Sequence, residues 1–164
     1  MVEANLLERL MKEYGDSVFR MCFLYLKDYQ LAEDATQETF IKAAKAYERF
    51  QNHSTEKTWL IRIAINSCKS MMRTHWFQNM RNQIRDTSPD EKTDLFETML
   101  EKDSLSRAIM RLPQSDRQMI LLYYYQELSL KEISEIIEKP VNTVNQKLYR
   151  ARQRLKIMLK GDVL

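Results

Sequence analysis

The sequence predicts an all-α protein of two small helical domains joined by an acidic linker. Three observations carry that prediction. Two glycines and three prolines among 164 residues leave little of the turn chemistry that sheets require. Apolar residues recur at three- and four-residue spacing along most of the chain, the period of helices with one buried stripe. Finally, residues 127–156, ELSLKEISEIIEKPVNTVNQKLYRARQRLK, hold the start and stop signals of two helices around a tight turn.

Residues 6–26 are rich in Leu, Met, Phe and Tyr, with Val18, Met21, Cys22 and Tyr25 on one inner face, and read as a core helix. Methionine and tyrosine stripes of this kind are packing material first. Asp28 is the N-cap expected of a second helix running to about Phe50, with Ala32, Thr36, Phe40, Ala43 and Tyr47 inside. Its outer side gathers Asp34, Gln37, Glu38 and Ile41. The helix dipole accounts for Glu33 and Asp34 near the start, but not for a branched apolar residue facing out. Ile41 flanked by acids reads as a docking surface for a basic partner.

Residues 50–57, FQNHSTEK, have no apolar period and read as a loop. The following helix, 58–73, buries Leu60, Ile63, Ala64, Ser67, Cys68 and Met71. Arg62, Asn66, Lys69 and Arg73 fall within an arc of about 60° on its other side, with Trp59 at the edge. Cations with an amide, an aromatic and a polar loop at the mouth suit unstacked nucleic acid, because phosphates need charge and bases need a flat or amide-lined pocket. The plainer alternative is a solvated face beside a core tryptophan.

From Trp76 to about Asp103 the composition shifts, as Asp86, Asp90, Glu91, Asp94, Glu97 and Glu101 accumulate with only Lys92 and Lys102 among them. The division that follows is a first domain over 1–76, an acidic linker over 77–103 and a second domain over 104–164. Helices over 105–112 and 115–125, separated at Pro113, open the second domain.

Ser129 and Glu132 then form a capping box, with Leu128 and Ile133 placed as a hydrophobic staple, so a helix begins at Leu130. Ile133, Ile136 and Ile137 make its buried stripe before Glu138-Lys139-Pro140 ends it. In the helix from Val141 or Asn142, the apolar face is Val141, Val144, Leu148, Ala151, Leu155 and Leu159. Opposite lie Asn142, Gln146, Tyr149, Arg150 and Gln153, flanked by Asn145, Arg152 and Lys156 on one side and Lys147 and Arg154 on the other. Amides and guanidinium groups can pair with base edges, while flanking cations suit the phosphates that wall a major groove. No acid lies between Lys139 and Lys160. Basic amphipathic helices also bind calmodulin or membrane surfaces, but the capped helix and tight turn ahead of this one favour DNA.

A net charge of +3 is modest, so affinity for nucleic acid must come from local patches. Cys22 and Cys68 offer no disulfide framework, and no signal peptide or long apolar run opens the chain, so a cytoplasmic protein without membrane insertion is expected. His53, His75, Cys22 and Cys68 match no metal spacing, and there is no glycine-rich phosphate loop or nucleophile motif. Neither an enzyme nor a cofactor is expected.

The blocks AEDATQETFIKA at 32–43, TWLIRIAINSCKS at 58–70, RLPQSDRQMILLYYYQELSLKEIS at 111–134 and PVNTVNQKLYRARQRLK at 140–156 together resemble the extracytoplasmic-function (ECF) sigma factors, the two-domain minimal form of the bacterial sigma-70 family. The resemblance implies a region 2-like domain that binds the clamp helices of core RNA polymerase through Asp34, Gln37, Glu38 and Ile41 and opens the minus-ten promoter element. It implies that Asn52, His53, Ser54 and Thr55, with Asn66, hold a base flipped from the non-template strand, with Arg62, Lys69 and Arg73 on phosphates or single strand. It further implies a region 4-like domain that reads the minus-thirty-five element through Asn145, Gln146, Tyr149 and Arg150, flanked by Lys147, Arg152 and Arg154. Asn145 stands where many members carry a basic residue. The linker is implied to thread the polymerase, and an anti-sigma factor is an implied partner. The competing class is a duplex-binding regulator whose first domain senses a ligand or dimerises, for which the Arg62–Arg73 strip would be irrelevant.

Overall fold

The computed structural model describes residues 2–50, 54–81 and 104–163, with side chains at 4–50, 54–76 and 104–160. Every regular element among them is helical. The chain divides into two compact units, Met1–Thr93 and Asp94–Leu164.

In the first unit, α1 (Val2–Leu26) packs against α2 (Tyr29–Ala46) and α3 (Glu56–Arg81). Leu10, Val18, Met21 and Phe23 of α1, Phe40 of α2, and Leu60, Ile61 and Ile65 of α3 are fully buried or nearly so. Lys27 takes a left-handed conformation, φ 59°, and its N–H donates to the Phe23 carbonyl, 2.7 Å, ending α1 in one residue. The Asp28 carboxylate then accepts from the Leu31 N–H, 2.9 Å, capping α2 as expected. The inner side of α2 is rotated relative to the expectation: Ala35 and Thr39 are buried, whereas Thr36 and Tyr47 are half-buried. Thr39 tolerates burial because its hydroxyl donates to the Ala35 carbonyl, 2.6 Å. A 3-10 turn, Tyr47–Arg49, finishes α2.

Helix α3 starts two residues before the expected Thr58 and continues past Arg73 to Arg81. Thr55 accounts for the early start: its Oγ1 accepts from the Thr58 N–H, 3.1 Å, while its carbonyl accepts from the Trp59 N–H, 3.0 Å. No proline or glycine interrupts residues 74–81, so the helix runs on into the stretch assigned to the linker. Residues 82–103, the rest of that linker, lie outside the described residues.

The second unit comprises α4 (Ser104–Arg111), α5 (Gln114–Ile120), a π-helical turn (Leu121–Tyr125), α6 (Leu130–Ile137) and α7 (Val141–Val163). In the π turn the Gln126 N–H reaches back five residues to the Leu121 carbonyl, 3.0 Å. The capping box of α6 is present as expected, with the Ser129 hydroxyl accepting from the Glu132 N–H and the Glu132 carboxylate from the Ser129 N–H, each 3.1 Å. The α6–α7 turn is made without glycine. Glu138 adopts φ 56°, and the Lys139 N–H closes onto the Ser134 carbonyl, 3.2 Å, a Schellman-type ending. Val144, Leu148, Ala151 and Leu155 seat α7 on α4, α5 and α6. Val141, expected on that apolar face, is 43% exposed.

Candidate nucleic-acid interface

On α7 the side chains opposite the buried stripe are presented to solvent. Asn142, Asn145, Gln146, Arg150 and Gln153 are exposed, and Tyr149 is 61% exposed. They form one face of a helix held at its start by the α6–α7 turn. Lys147 is half-buried at the flank. Two flanking cations are engaged inside the unit: Arg154 pairs with the buried carboxylate of Asp116 on α5, and the Arg152 guanidinium lies over the rings of Tyr123 and Tyr124, 5.1 and 5.4 Å from their centroids. They brace α7 against the preceding helices, a role that spacing along α7 could not reveal.

On α3, Arg62, Asn66 and Arg73 are exposed and Lys69 is half-buried, so the four occupy the side facing away from the core. Ile63 and Met71, expected inside, are half-buried, and Thr58, Ile61 and Ile65 are buried instead. Both faces of the helix start are covered there because α1 and α2 pack against it. At the mouth of this face Trp59 stacks on Phe50, centroids 4.8 Å apart and planes 27° apart, with Tyr47 edge-on to Trp59 at 5.9 Å. Trp59 is thus part of an aromatic cluster holding the two ends of the 50–57 segment. The Ser54 hydroxyl donates to the Thr55 carbonyl, 3.2 Å, and the Thr55 hydroxyl is committed to the α3 cap. Asn52 and His53 lie outside the described residues.

The outer face of α2 exposes Asp34, Gln37 and Ile41, the last at 47%, with Glu38 half-buried. Gln30 donates to Asp34, 3.0 Å, and Lys42 pairs with Glu38, 2.6 Å. An exposed apolar side chain on the same face as two acids, one of them ion-paired, has the composition of a polar-rimmed interface.

A further polar cluster escaped the sequence reading. The Glu56 carboxylate accepts from Arg9 Nη1 and Nη2, 3.0 and 2.9 Å, from Tyr47 Oη, 2.5 Å, and from Tyr14 Oη, 3.1 Å. The Arg9 bonds hold the Glu56 carboxyl down at about 2, from 4.5, with help from the two phenols. Reciprocally, burial and the bond to Glu56 push Tyr14 up to about 12, and Tyr47 is raised chiefly by its bond to Glu56. Arg9 is 47 residues from Glu56, so no local pattern announces the pair.

A pH dependence follows. The folded carboxyl of Glu56 lies below its ordinary 4.5, so its contribution to stability is complete above about pH 5 and is lost as the pH falls toward 2. Urea midpoints of the wild type and Glu56→Gln should differ by a constant amount from pH 7 to about 5. The gap should then close on further acidification, and a gap persisting undiminished to pH 2.5 would show that Glu56 is not held ionised.

Cys22 and Cys68 are both buried, and the Cys68 thiol is pushed well above its usual range by a hydrogen bond to Cys22 and by burial, the condition of an inert packing thiol. Among the described residues no cluster of His, Cys, Asp or Glu could hold a metal ion. Among them, too, no helix is long and apolar enough to cross a membrane.

A braced helix-turn-helix in the second unit and, among the described residues of the first, packed helices with cations on an outward face have the layout of a helical DNA-binding protein. Sigma-70 region 2 matches residues 10–78 and Sigma-70 region 4 matches residues 102–155. The ECF RNA polymerase sigma factor SigM of Bacillus subtilis is 31% identical, over 96% of this chain and 97% of that protein. SigW of the same organism is 30% identical, over 90% of this chain and 85% of that protein. The fold is that of the sigma factor RpoE of Bartonella quintana, solved with the anti-sigma factor NepR. There the TM-score is 0.76 at 21% identity, covering 94% of this chain and 97% of that one. The chain belongs to the ECF sigma factors of the sigma-70 family and directs core RNA polymerase to promoters.

Proposed function

We propose that the two units divide promoter reading between them, the second reading the minus-thirty-five duplex through α7 and the first capturing the opened minus-ten strand on α3. The observation that carries the reading is the exposed face of α7, where amides, Tyr149 and Arg150 are presented together on a helix with no acid between Lys139 and Lys160. Asn145, Gln146, Tyr149 and Arg150 contact base edges in this arrangement, and Lys147 contacts phosphate. Arg152 and Arg154 act through the pose of α7, given their partners Tyr123, Tyr124 and Asp116. In the first unit Arg62, Lys69 and Arg73 hold phosphates or single strand, while Asn52, His53, Ser54, Thr55 and Asn66 surround the extruded base. Thr55 contributes through its backbone and the helix start, its hydroxyl being occupied. Asp34, Gln37, Glu38 and Ile41 dock on the polymerase.

The protein performs no bond chemistry of its own. Contacts that exist only to an unpaired base offset the few kcal/mol needed to unstack it, and the polymerase supplies the reaction. The protein works in the cytoplasm, where polymerase and promoters are. An anti-sigma factor is a partner on this reading, because two proteins of the same fold, RpoE and CnrH, are solved with NepR and with the cytosolic domain of CnrY.

Selection of duplex promoter variants by the holoenzyme tests the division. Arg150→Ala and Gln146→Ala should each lose about 1–3 kcal/mol of discrimination at their own base positions. Lys147→Ala should weaken all sequences alike and reduce the salt slope by about one. An unchanged base preference in the first two variants would mean that α7 docks by another face.

A further inference from the structure

The Glu56 cluster lies outside every contact assigned above, yet it joins three elements at one point. Tyr47 ends α2 and Glu56 begins α3, so their hydrogen bond, 2.5 Å, closes the intervening segment at its base. Arg9 of α1 bridges both, giving two bonds to Glu56 and one to Tyr47 Oη, 3.2 Å. Tyr14, also on α1, supplies a fourth bond to the same carboxylate. The Phe50–Trp59 stack ties the same two ends by an independent contact.

An isolated surface ion pair contributes little to stability, and Arg9 is nearly half exposed. Four donors converging on one carboxylate accomplish something else: they define a geometry. The arginine fork fixes the carboxylate plane, the two phenols fix its remaining lone pairs, and the positions where the chain leaves α2 and enters α3 are then set together. Recognition groups work only when their supporting bonds hold them to within a fraction of an ångström. The groups that depend on this base are Ser54, two residues before Glu56, and the α3 face that bears Asn66.

We propose that Arg9, Tyr14, Tyr47 and Glu56 are positioning residues for base capture: they make no contact with DNA but hold the start of α3, with Ser54 just ahead of it and Asn66 on its outer face, in the pose that receives the unpaired base. The inference rests on the base-capture role given above to Ser54 and Asn66. It predicts a loss of specificity for a base, separable from loss of fold or of general DNA affinity.

The test uses the holoenzyme and a single-stranded non-template oligonucleotide carrying the minus-ten element of a promoter selected by the wild type. It is compared with the same strand made abasic at each position in turn. Tyr47→Phe removes one hydroxyl but keeps the ring that meets Phe50 and Trp59; Arg9→Gln removes the fork from another element. Wild type should bind the intact strand about tenfold tighter than the strand abasic at the captured position. Both variants should cut that ratio about fivefold, leaving affinity for the abasic strand and for core polymerase unchanged. A wild-type ratio in both variants would overturn the proposal, and so would an equal fall in intact and abasic binding, which would mark the cluster as a general support of the fold. If wild type itself showed no position with an intact-to-abasic difference, the base-capture reading and the positioning role of the Glu56 cluster would fall together.

Discussion

Asp34→Lys combined with Ile41→Glu should abolish binding to core polymerase while the chain remains fully helical. Both side chains are exposed on α2, Ile41 at 47%, so neither substitution disturbs the packing of Ala32, Ala35, Phe40 and Ala43 on the opposite side. The double change places a cation where a basic partner expects an acid, and an acid where it expects an apolar contact. Like charges set face to face and a desolvated unpaired carboxylate each cost several kcal/mol, so the affinity should fall by at least about 100-fold, roughly 3 kcal/mol. Binding to labelled core polymerase, with circular dichroism as the folding control, decides it. Wild-type affinity in the double variant would remove α2 from the docking surface.

The second large effect concerns strand opening. Contacts to an extruded base do not exist in closed duplex and appear only once the strands part. Asn66→Ala with His53→Ala should therefore spare the closed complex and reduce open complex about tenfold or more, measured by permanganate reactivity of unpaired thymines. A premelted minus-ten bubble should restore much of the loss, because the unstacking cost has been removed. Arg62→Ala and Lys69→Ala should behave differently, weakening bubble and duplex templates together in a salt-dependent way, as phosphate contacts do. Normal promoter opening by the Asn66 and His53 variant would place the pocket elsewhere.

Local signals in the chain were read with little error. The Asp28 cap, the Ser129–Glu132 box and the stop at Glu138 each depend on residues within five positions of one another, and backbone geometry makes such patterns almost self-sufficient. Errors arose where a neighbouring element decided the outcome. The inner side of α2 kept Ala32, Phe40 and Ala43 but took Ala35 and Thr39 in place of Thr36 and Tyr47, and α3 buried Thr58, Ile61 and Ile65 while Ile63 and Met71 stayed half-buried, because α3 packs against both α1 and α2. Val141, placed on the apolar stripe by spacing, is 43% exposed.

The four blocks that mark the ECF family, and the all-helical division into two units, could be read without coordinates, since both are written in short-range spacing and residue type. The placement of Asn66 with Arg62 and Arg73, and of Gln146 with Tyr149 and Arg150, on exposed faces also followed from helical rotation alone. Which cations of α7 are engaged by neighbouring helices did not: Arg154 with Asp116 and Arg152 over Tyr123 and Tyr124 are partnerships across helices, and every basic residue looks alike in a one-dimensional pattern. The convergence of Arg9, Tyr14 and Tyr47 on Glu56 is the extreme case. It exists only because the middle of α1 meets the end of α2 and the start of α3 at one point, and such a meeting is settled by the burial of the core behind it, not by the residues that exploit it.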